Sequence, residues 1–497
     1  RDFETTIEQK LFSTFFNGSL ASWDAGDVLA GFGVEYRVDE IDSIPGGVAD
    51  VNNPAEFFGF FNDGGAKGDR WVREYFAEVE VPLVANQPGA KELTLNLSGR
   101  YTKDEFYPSA NTESIKMAWR PVDSLLIRGT YGTSYRAPNL RELFLRGSTG
   151  FLGLSDPCGI PESAIDPLNG YDPALDNREP STISNCQQQG VDPFDVDRTS
   201  TAQSTEIFEG GSRDLKEERS TSSTYGFSWE QPFTNAFDFT IGATWYDIEI
   251  RNTIVNPSAQ AIINECYTRP DGPGARCSRI TRESGSQDII LVDQSVVNRD
   301  AERAKGVDVN IDWRSTIDTF GTPVRWFFSA NATHPQERSF TEINEVNDTQ
   351  TYDDFVGDFG YPTWQASSRL GAEFGSWLIV LNTRYLNDVS QRSDFVDPFS
   401  DIYDSQGTGF EGDTCEGPDF GDALCRDIGY AGDYMMHSIY ARYAADTWTM
   451  GVGVRNLFDE APPFVDGNEI TAVNNAPIGS GYDLNGRVVF VDFSIRL

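Results

Sequence analysis

A chain of 497 residues is long enough for several soluble domains or for one large barrel. Its 39 lysines and arginines face 77 aspartates and glutamates, a net charge of −38, which excludes nucleic acid as a partner because phosphates need a basic surface. No run of about 18 apolar residues marks a transmembrane helix, a fact that leaves barrel strands open, since each needs only roughly ten alternating residues.

The chain opens at Arg1 without a signal peptide and is read as an internal or processed piece of a longer protein. From there the dominant signal is strict alternation. Val28, Ala30, Phe32, Val34 and Tyr36 alternate with polar or small residues, and so do Leu93, Leu95, Leu97, Gly99 and Tyr101. The pattern returns at Val307, Val309, Ile311 and Trp313, and again at Trp448, Met450, Val452 and Val454. Such period-two segments are strands with one apolar and one polar face. About fifteen are expected, centred near residues 10, 32, 78, 97, 116, 129, 226, 242, 309, 328, 369, 381, 440, 452 and 491. Helical periodicity is nearly absent.

The connections alternate as well. Short turns are expected at 21–26, 86–90, 120–124, 231–235, 315–322, 375–376 and 445–446. Between them lie long polar connections at 39–70, 135–216, 251–299, 335–361, 388–432 and 460–483, with a shorter one in the same phase at 103–111. Up-and-down strands put alternate connections on opposite ends, so all long loops share one end. That is the pattern of outer-membrane barrels, with short periplasmic turns and long outer loops. Tyr36, Tyr101, Trp119, Tyr131, Trp313, Trp364 and Trp448 lie at the ends of the apolar sets, as membrane-interface girdles require. The acid is concentrated in loops: residues 388–433 hold 12 acidic and 2 basic side chains.

Six cysteines fall in three local pairs, Cys158 with Cys186, Cys266 with Cys277, and Cys415 with Cys425. Each pair sits in one long connection, and none forms a CxxC. Disulfides in an oxidising compartment are expected, whereas a metal site would need tighter spacing and nearby histidine. Only His334 and His437 exist, and neither is near a cysteine.

Five segments resemble TonB-dependent receptors, in that family's order. Arg136-Ala-Pro-Asn-Leu-Arg-Glu-Leu143 is similar to its FRAPN-x-x-EL segment, and Lys216–Phe227 to the strand after its L-x-PE segment. Ala304-Lys-Gly-Val-Asp-Val-Asn-Ile311 is similar to its A-x-x-x-G-V-E/D strand, and Val454-Arg-Asn-Leu-Phe-Asp459 to V-x-NLFD. Gly486–Leu497 resembles the closing strand, although it ends on Leu497 where the family commonly has an aromatic. The resemblance implies an all-β fold, a transmembrane antiparallel up-and-down barrel of 22 strands around a plug. Residues 1–497 would then supply about the last fifteen strands, with the plug and some seven strands outside this chain. It also implies a Gram-negative outer membrane, lipid contact, energy coupling to TonB through the plug, and a small-molecule or oligosaccharide ligand: iron chelate, oligosaccharide or cobalamin-like.

Chemistry-bearing motifs are lacking. There is no phosphate loop before a helix, no Gly-x-Ser-x-Gly and no HExxH, so no enzyme and no cofactor is expected. Asp192, Asp195 and Asp197 are the one candidate for a loop-bound calcium, without full ligand spacing. For cargo, Phe57, Phe58, Phe60 and Phe61 form an aromatic cluster in a polar loop, and Tyr403, Phe410 and Phe420 lie in the acidic one. Aromatics there either stack on ligand or pack loop on loop. The acidic loop favours a neutral or cation-bearing ligand. The alternatives are a passive porin-like channel and a soluble β-rich binding protein.

Overall fold

The computed structural model describes residues 3–46, 64–166, 170–319, 321–344, 349–390, 430–463, 465, 472–473 and 476–495. Fifteen antiparallel strands, each paired with its neighbour in sequence, make one continuous wall. They are β1 (Phe3–Trp23), β2 (Gly26–Pro45), β3 (Ala66–Gln87), β4 (Ala90–Asp104), β5 (Ala110–Val122), β6 (Leu125–Arg136), β7 (Glu218–Glu230) and β8 (Phe237–Val255). They continue as β9 (Val297–Thr319), β10 (Thr322–Asn344), β11 (Gln365–Phe374), β12 (Trp377–Leu386), β13 (Tyr434–Ala444), β14 (Trp448–Arg455) and β15 (Val488–Ile495).

Register turns the alternation in sequence into two chemically distinct faces. One row runs Phe239, Trp313, Phe328, Leu370, Leu381, Ile439, Val454 and Val489 across eight adjacent strands, apolar at every step. The row beside it, one residue along each strand, runs Thr240, Asp312, Ser329, Arg369, Asn382 and Ser438 on the opposite face. The apolar face is not covered by protein. Val489, Val491 and Phe493 are 66%, 62% and 64% exposed, and Phe32, Tyr75 and Tyr225 more than half. A water-soluble sandwich buries this face against a second sheet. A contiguous apolar band of this extent needs lipid as its solvent.

Aromatic rings bracket the band. At the long-connection end, Tyr75 pairs with Tyr101 at 6.3 Å, and Tyr225 stacks on Trp245 at 4.4 Å. At the short-turn end, Trp377, Tyr443 and Trp448 cluster, and Trp119 donates its indole N–H to the Gly89 carbonyl at 3.1 Å. The short turns at Trp23–Gly26, Gln87–Ala90, Val122–Leu125 and Phe374–Trp377 close in two residues each, whereas Glu230–Phe237 takes six; Gly375, at φ 54°, takes a left-handed turn position that a Cβ disfavours.

The strands run further than alternation indicates. β1, β2, β3, β9 and β10 are 20–23 residues long, roughly twice what a tilted membrane strand needs. Residues 39–45 and 335–344, expected as loop, continue β2 and β10, and Thr349–Asp354 folds back on β10. Beyond the apolar band neither face has to meet lipid, so those segments pair without an apolar–polar alternating pattern.

Two family-like segments are structural clasps. Asn139 caps helix α1 (Leu140–Phe144) in a capping box with Glu142. Arg136 bonds both Glu142 and Glu218 of β7, and Leu143 and Phe144 bury against Ile41 and Ala66. Gly68 is required there, because a Cβ would sit 2.5 Å from the Phe144 ring. Near the C-terminus, fully buried Asn456 turns the chain out of β14. Its side chain accepts from the Glu460 amide at 2.7 Å and donates to the Glu460 carbonyl at 2.8 Å. Asp459 then accepts from the Arg487 amide at 2.7 Å, tying this corner to the start of β15.

Candidate functional site: outer lobe and polar wall

The largest apolar core lies beyond the wall, at the long-connection end. The connections 137–217 and 256–296 fold together. Their strands Ser148–Leu154, Gln203–Glu209, Ile289–Asp293 and Ile280–Arg282 make one four-stranded sheet. Helices α2 (Pro180–Gln188) and α3 (Ala259–Tyr267) pack on it. Ile262, Ile263, Val292, Cys158, Cys186 and Cys266 are completely buried. Sequence periodicity did not expose these helices because each spans about two turns. The usable signals were Ser258, which caps α3 by accepting from the Ala261 amide, and the apolar run Ile289-Ile-Leu-Val292.

Covalent and ionic ties hold this lobe. Cys158–Cys186 and Cys266–Cys277 are bonded as expected, closing separations of 28 and 11 residues, each bond contributing roughly 3 kcal/mol in the chain-entropy picture. Arg282 of the second connection forks onto Asp156 of the first at 2.6 and 2.8 Å. Arg282 also donates to the Tyr267 hydroxyl at 3.0 Å and lies over its ring. Asn185 on α2 donates to the carbonyls of Tyr267 and Arg269. Within the first connection, Arg178 binds Asp176 and the carbonyls of Cys158 and Gly159. Hydrogen bonds from Arg178 hold the Asp176 carboxyl down at about 2, against the effect of burial.

A second small core joins three later connections: Phe359, Val389, Ala431 and Val465, with Tyr482 packed against them. Burial pushes the Tyr482 phenol up to about 12. Where they are described, these long connections are therefore cored structures, not solvated tethers.

Below them the polar face carries a recess of about 480 Å³ lined by Ser329, Asn331, Ser367, Arg369, Asn382 and Arg384 among others. It presents hydroxyl, amide and guanidinium groups as hydrogen-bond donors and acceptors on the polar face.

Several expected site residues fall elsewhere. Phe57, Phe58, Phe60, Phe61, Tyr403, Phe410 and Phe420 lie outside the described residues, and so do Cys415 and Cys425. Mass mapping of non-reduced peptides is expected to give a 415–425 link; free thiols at those positions, or a link to another loop, would refute the pairing. The calcium candidate does not assemble. Asp192 and Asp195 spend their carboxylates on the Phe194 and Asp197 amides, at 3.0 and 3.1 Å. Among the described residues no three His, Cys, Asp or Glu side chains converge as metal ligands. His334 stacks on Trp364 at 4.5 Å, and His437 bonds Thr383 at 2.9 Å.

Residues 2–457 match the family model described as TonB dependent receptor-like, beta-barrel. No curated protein matches. Among solved structures, the chain is similar to the ferric enterobactin receptor of Pseudomonas aeruginosa in complex with enterobactin: TM-score 0.56, 14% identity, 98% of this chain and 54% of that one. It is similar to the siderophore receptor PirA of Acinetobacter baumannii, with TM-score 0.53, 12% identity, and 98% and 55% coverage. The hemophore receptor HasR of Serratia marcescens, solved with its hemophore and heme, gives TM-score 0.50, 15% identity, and 100% and 59% coverage. These identities speak for the fold alone, and the chain spans a little over half the length of the structures it matches. With the family model covering most of its length, this chain belongs to the TonB-dependent receptors, as a stretch of their β-barrel.

Proposed function

We propose that the chain is the larger part of the wall of an outer-membrane transporter that takes up a scarce ligand with energy supplied through TonB. The observation that carries this is the two-faced wall: an uncovered apolar face outside, a hydrogen-bonding face inside, and cored connections gathered at one end. In this reading residues 1–497 are the C-terminal part of the barrel, with the plug and the first strands encoded upstream. The long connections face the cell exterior and the short turns the periplasm.

The ligand belongs to the iron chelates, oligosaccharides or cobalamin-like compounds, with a neutral or cation-bearing species favoured by the acidic 388–433 connection. Uptake by the full-length protein separates this reading from a passive channel. Active transport stops when the proton gradient is collapsed, whereas diffusion through a porin-like pore continues and would refute the proposal. The aromatic cluster is tested in the same assay. Changing Phe57, Phe58, Phe60 and Phe61 together to alanine is expected to weaken ligand binding about tenfold or more, at ~1–3 kcal/mol per stacked ring. Unchanged affinity in a folded barrel would remove the cluster from the site.

A further inference from the structure

Three asparagines precede glycine: Asn17-Gly18, Asn169-Gly170 and Asn485-Gly486. The pairing matters chemically, because glycine has no side chain to shield its amide nitrogen from the asparagine carboxamide. The fold treats these pairs differently. Asn17 and Gly18 lie inside β1, in register with Gly31 and Ala30. An extended strand holds the carboxamide away from the following nitrogen. Asn485 and Gly486 lie outside any ladder, just before β15 begins at Val488. Asn485 is exposed, and Gly486 takes a left-handed φ of 65°. Among the described residues the Gly486 amide donates to no acceptor. Asn169 lies outside the described residues.

The residues on either side are pinned. Asp483 donates its amide to the Tyr434 hydroxyl at 3.3 Å, and its carboxylate accepts from Asn456 at 3.3 Å. Arg487 donates its amide to Asp459 at 2.7 Å. Leu484, Asn485 and Gly486 therefore form an arch between two fixed points. The Asn485 carboxamide is held by one contact among the described residues, from Nδ2 to Asp483 Oδ1 at 3.4 Å, longer than a firm hydrogen bond.

We infer that Asn485-Gly486 is a self-modification site whose reaction loosens the tie between the Asn456 corner and β15. The Gly486 nitrogen gives its proton to hydroxide and attacks Asn485 Cγ. The Cγ–Nδ2 bond breaks, and Nδ2 leaves as ammonia by taking a proton back from water. One water then opens the succinimide ring. Attack at Cγ gives aspartate, whereas attack at the main-chain carbonyl gives isoaspartate, with the backbone now running through Cβ and Cγ. In either product a carboxylate replaces the amide that donated to Asp483, so like charges face each other and repel. The isoaspartyl product also lengthens an arch whose ends are fixed.

The test incubates the folded full-length protein in detergent micelles at mildly alkaline pH, followed by peptide mass mapping and isoaspartyl labelling with a protein carboxyl methyltransferase. Asn485 is expected to convert roughly tenfold or more faster than Asn17, whose reaction waits on strand opening, with isoaspartate the major product. In the same protein unfolded in urea the two should convert at similar rates. N485Q should abolish the signal at this position, because glutamine closes its larger ring far more slowly. Conversion of Asn17 as fast as Asn485 in the folded protein overturns the site. Persistence of Asn485 there, while the urea-unfolded protein converts, also overturns it. Loosening is read separately by hydrogen exchange at Arg487 and Val488. Aged wild type is expected to exchange about tenfold faster there than fresh protein, N485D to fall between, and aged N485Q to match fresh protein. Unchanged exchange in a converted chain overturns the loosening.

Discussion

Changing Arg282 to methionine is expected to open the outer lobe while leaving the wall intact. Arg282 and Asp156 are each only 12% exposed and come from different connections, so their fork is a half-buried ion pair that adds to the shared sheet and the Asn185 hydrogen bonds in joining two chain segments 126 residues apart. The single substitution leaves the Asp156 carboxylate buried without its partner, and breaking a buried pair in this way costs ~3–5 kcal/mol. Both disulfides lie within one connection each, so neither holds the two together once the fork is lost. Limited proteolysis is the readout, with cleavage expected within 137–217 and 256–296 under conditions where wild type resists. The double change Asp156→Leu with Arg282→Met removes the stranded charge and should recover part of the loss. Wild-type protease resistance in Arg282→Met would show that the apolar core and the shared sheet hold the lobe without the fork.

Arginine at Val452 is expected to cost the wall ~2–4 kcal/mol if that position is mid-membrane. Val452 lies in the outward apolar face between Ala441 and Val491 and is 41% exposed to what surrounds the wall. A charge there has no protein partner and must either drag water into the bilayer or tilt away. The matched control is Thr240→Arg on the opposite face, where Asp312 is its register partner; in a wet lumen it should change stability by no more than ~0.5 kcal/mol. Urea unfolding from bilayers, followed by tryptophan emission, compares the two. Equal costs would mean that the faces are assigned wrongly.

The wall was readable from sequence because each membrane-spanning segment must obey one rule, apolar toward lipid and polar toward water, at every second residue. Val307 to Trp313 and Trp448 to Val454 are plain instances. The parts that were not readable are those where the rule lapses. Residues 39–45 and 335–344 are strand, yet neither face has to meet lipid, and polar Ser43 and Ser339 sit buried there, so no apolar–polar alternation marks them. The lobe was hidden for a different reason. Its core draws Ile262 and Ile263 from one connection and Leu154 and Val191 from another, and no local pattern reports so distant a partnership. The cysteine pairs located its staples correctly within each connection but could not show that the two connections join. The Arg136–Leu143 and Asn456–Asp459 segments were visible as family resemblances. What they do, capping one short helix and turning one corner, emerged only from Asn139, Glu142, Asn456 and Asp459 in three dimensions.

The most direct test of the account is where the apolar face goes. A fluorophore placed at Val491 and, separately, at Asn382 on the other face can be read in bilayers whose acyl chains carry bromine. The account predicts strong quenching at 491 by the brominated lipid and little by aqueous iodide, with the reverse at 382. Equal aqueous quenching at both positions, with no effect of the brominated chains at 491, would contradict a lipid-facing wall.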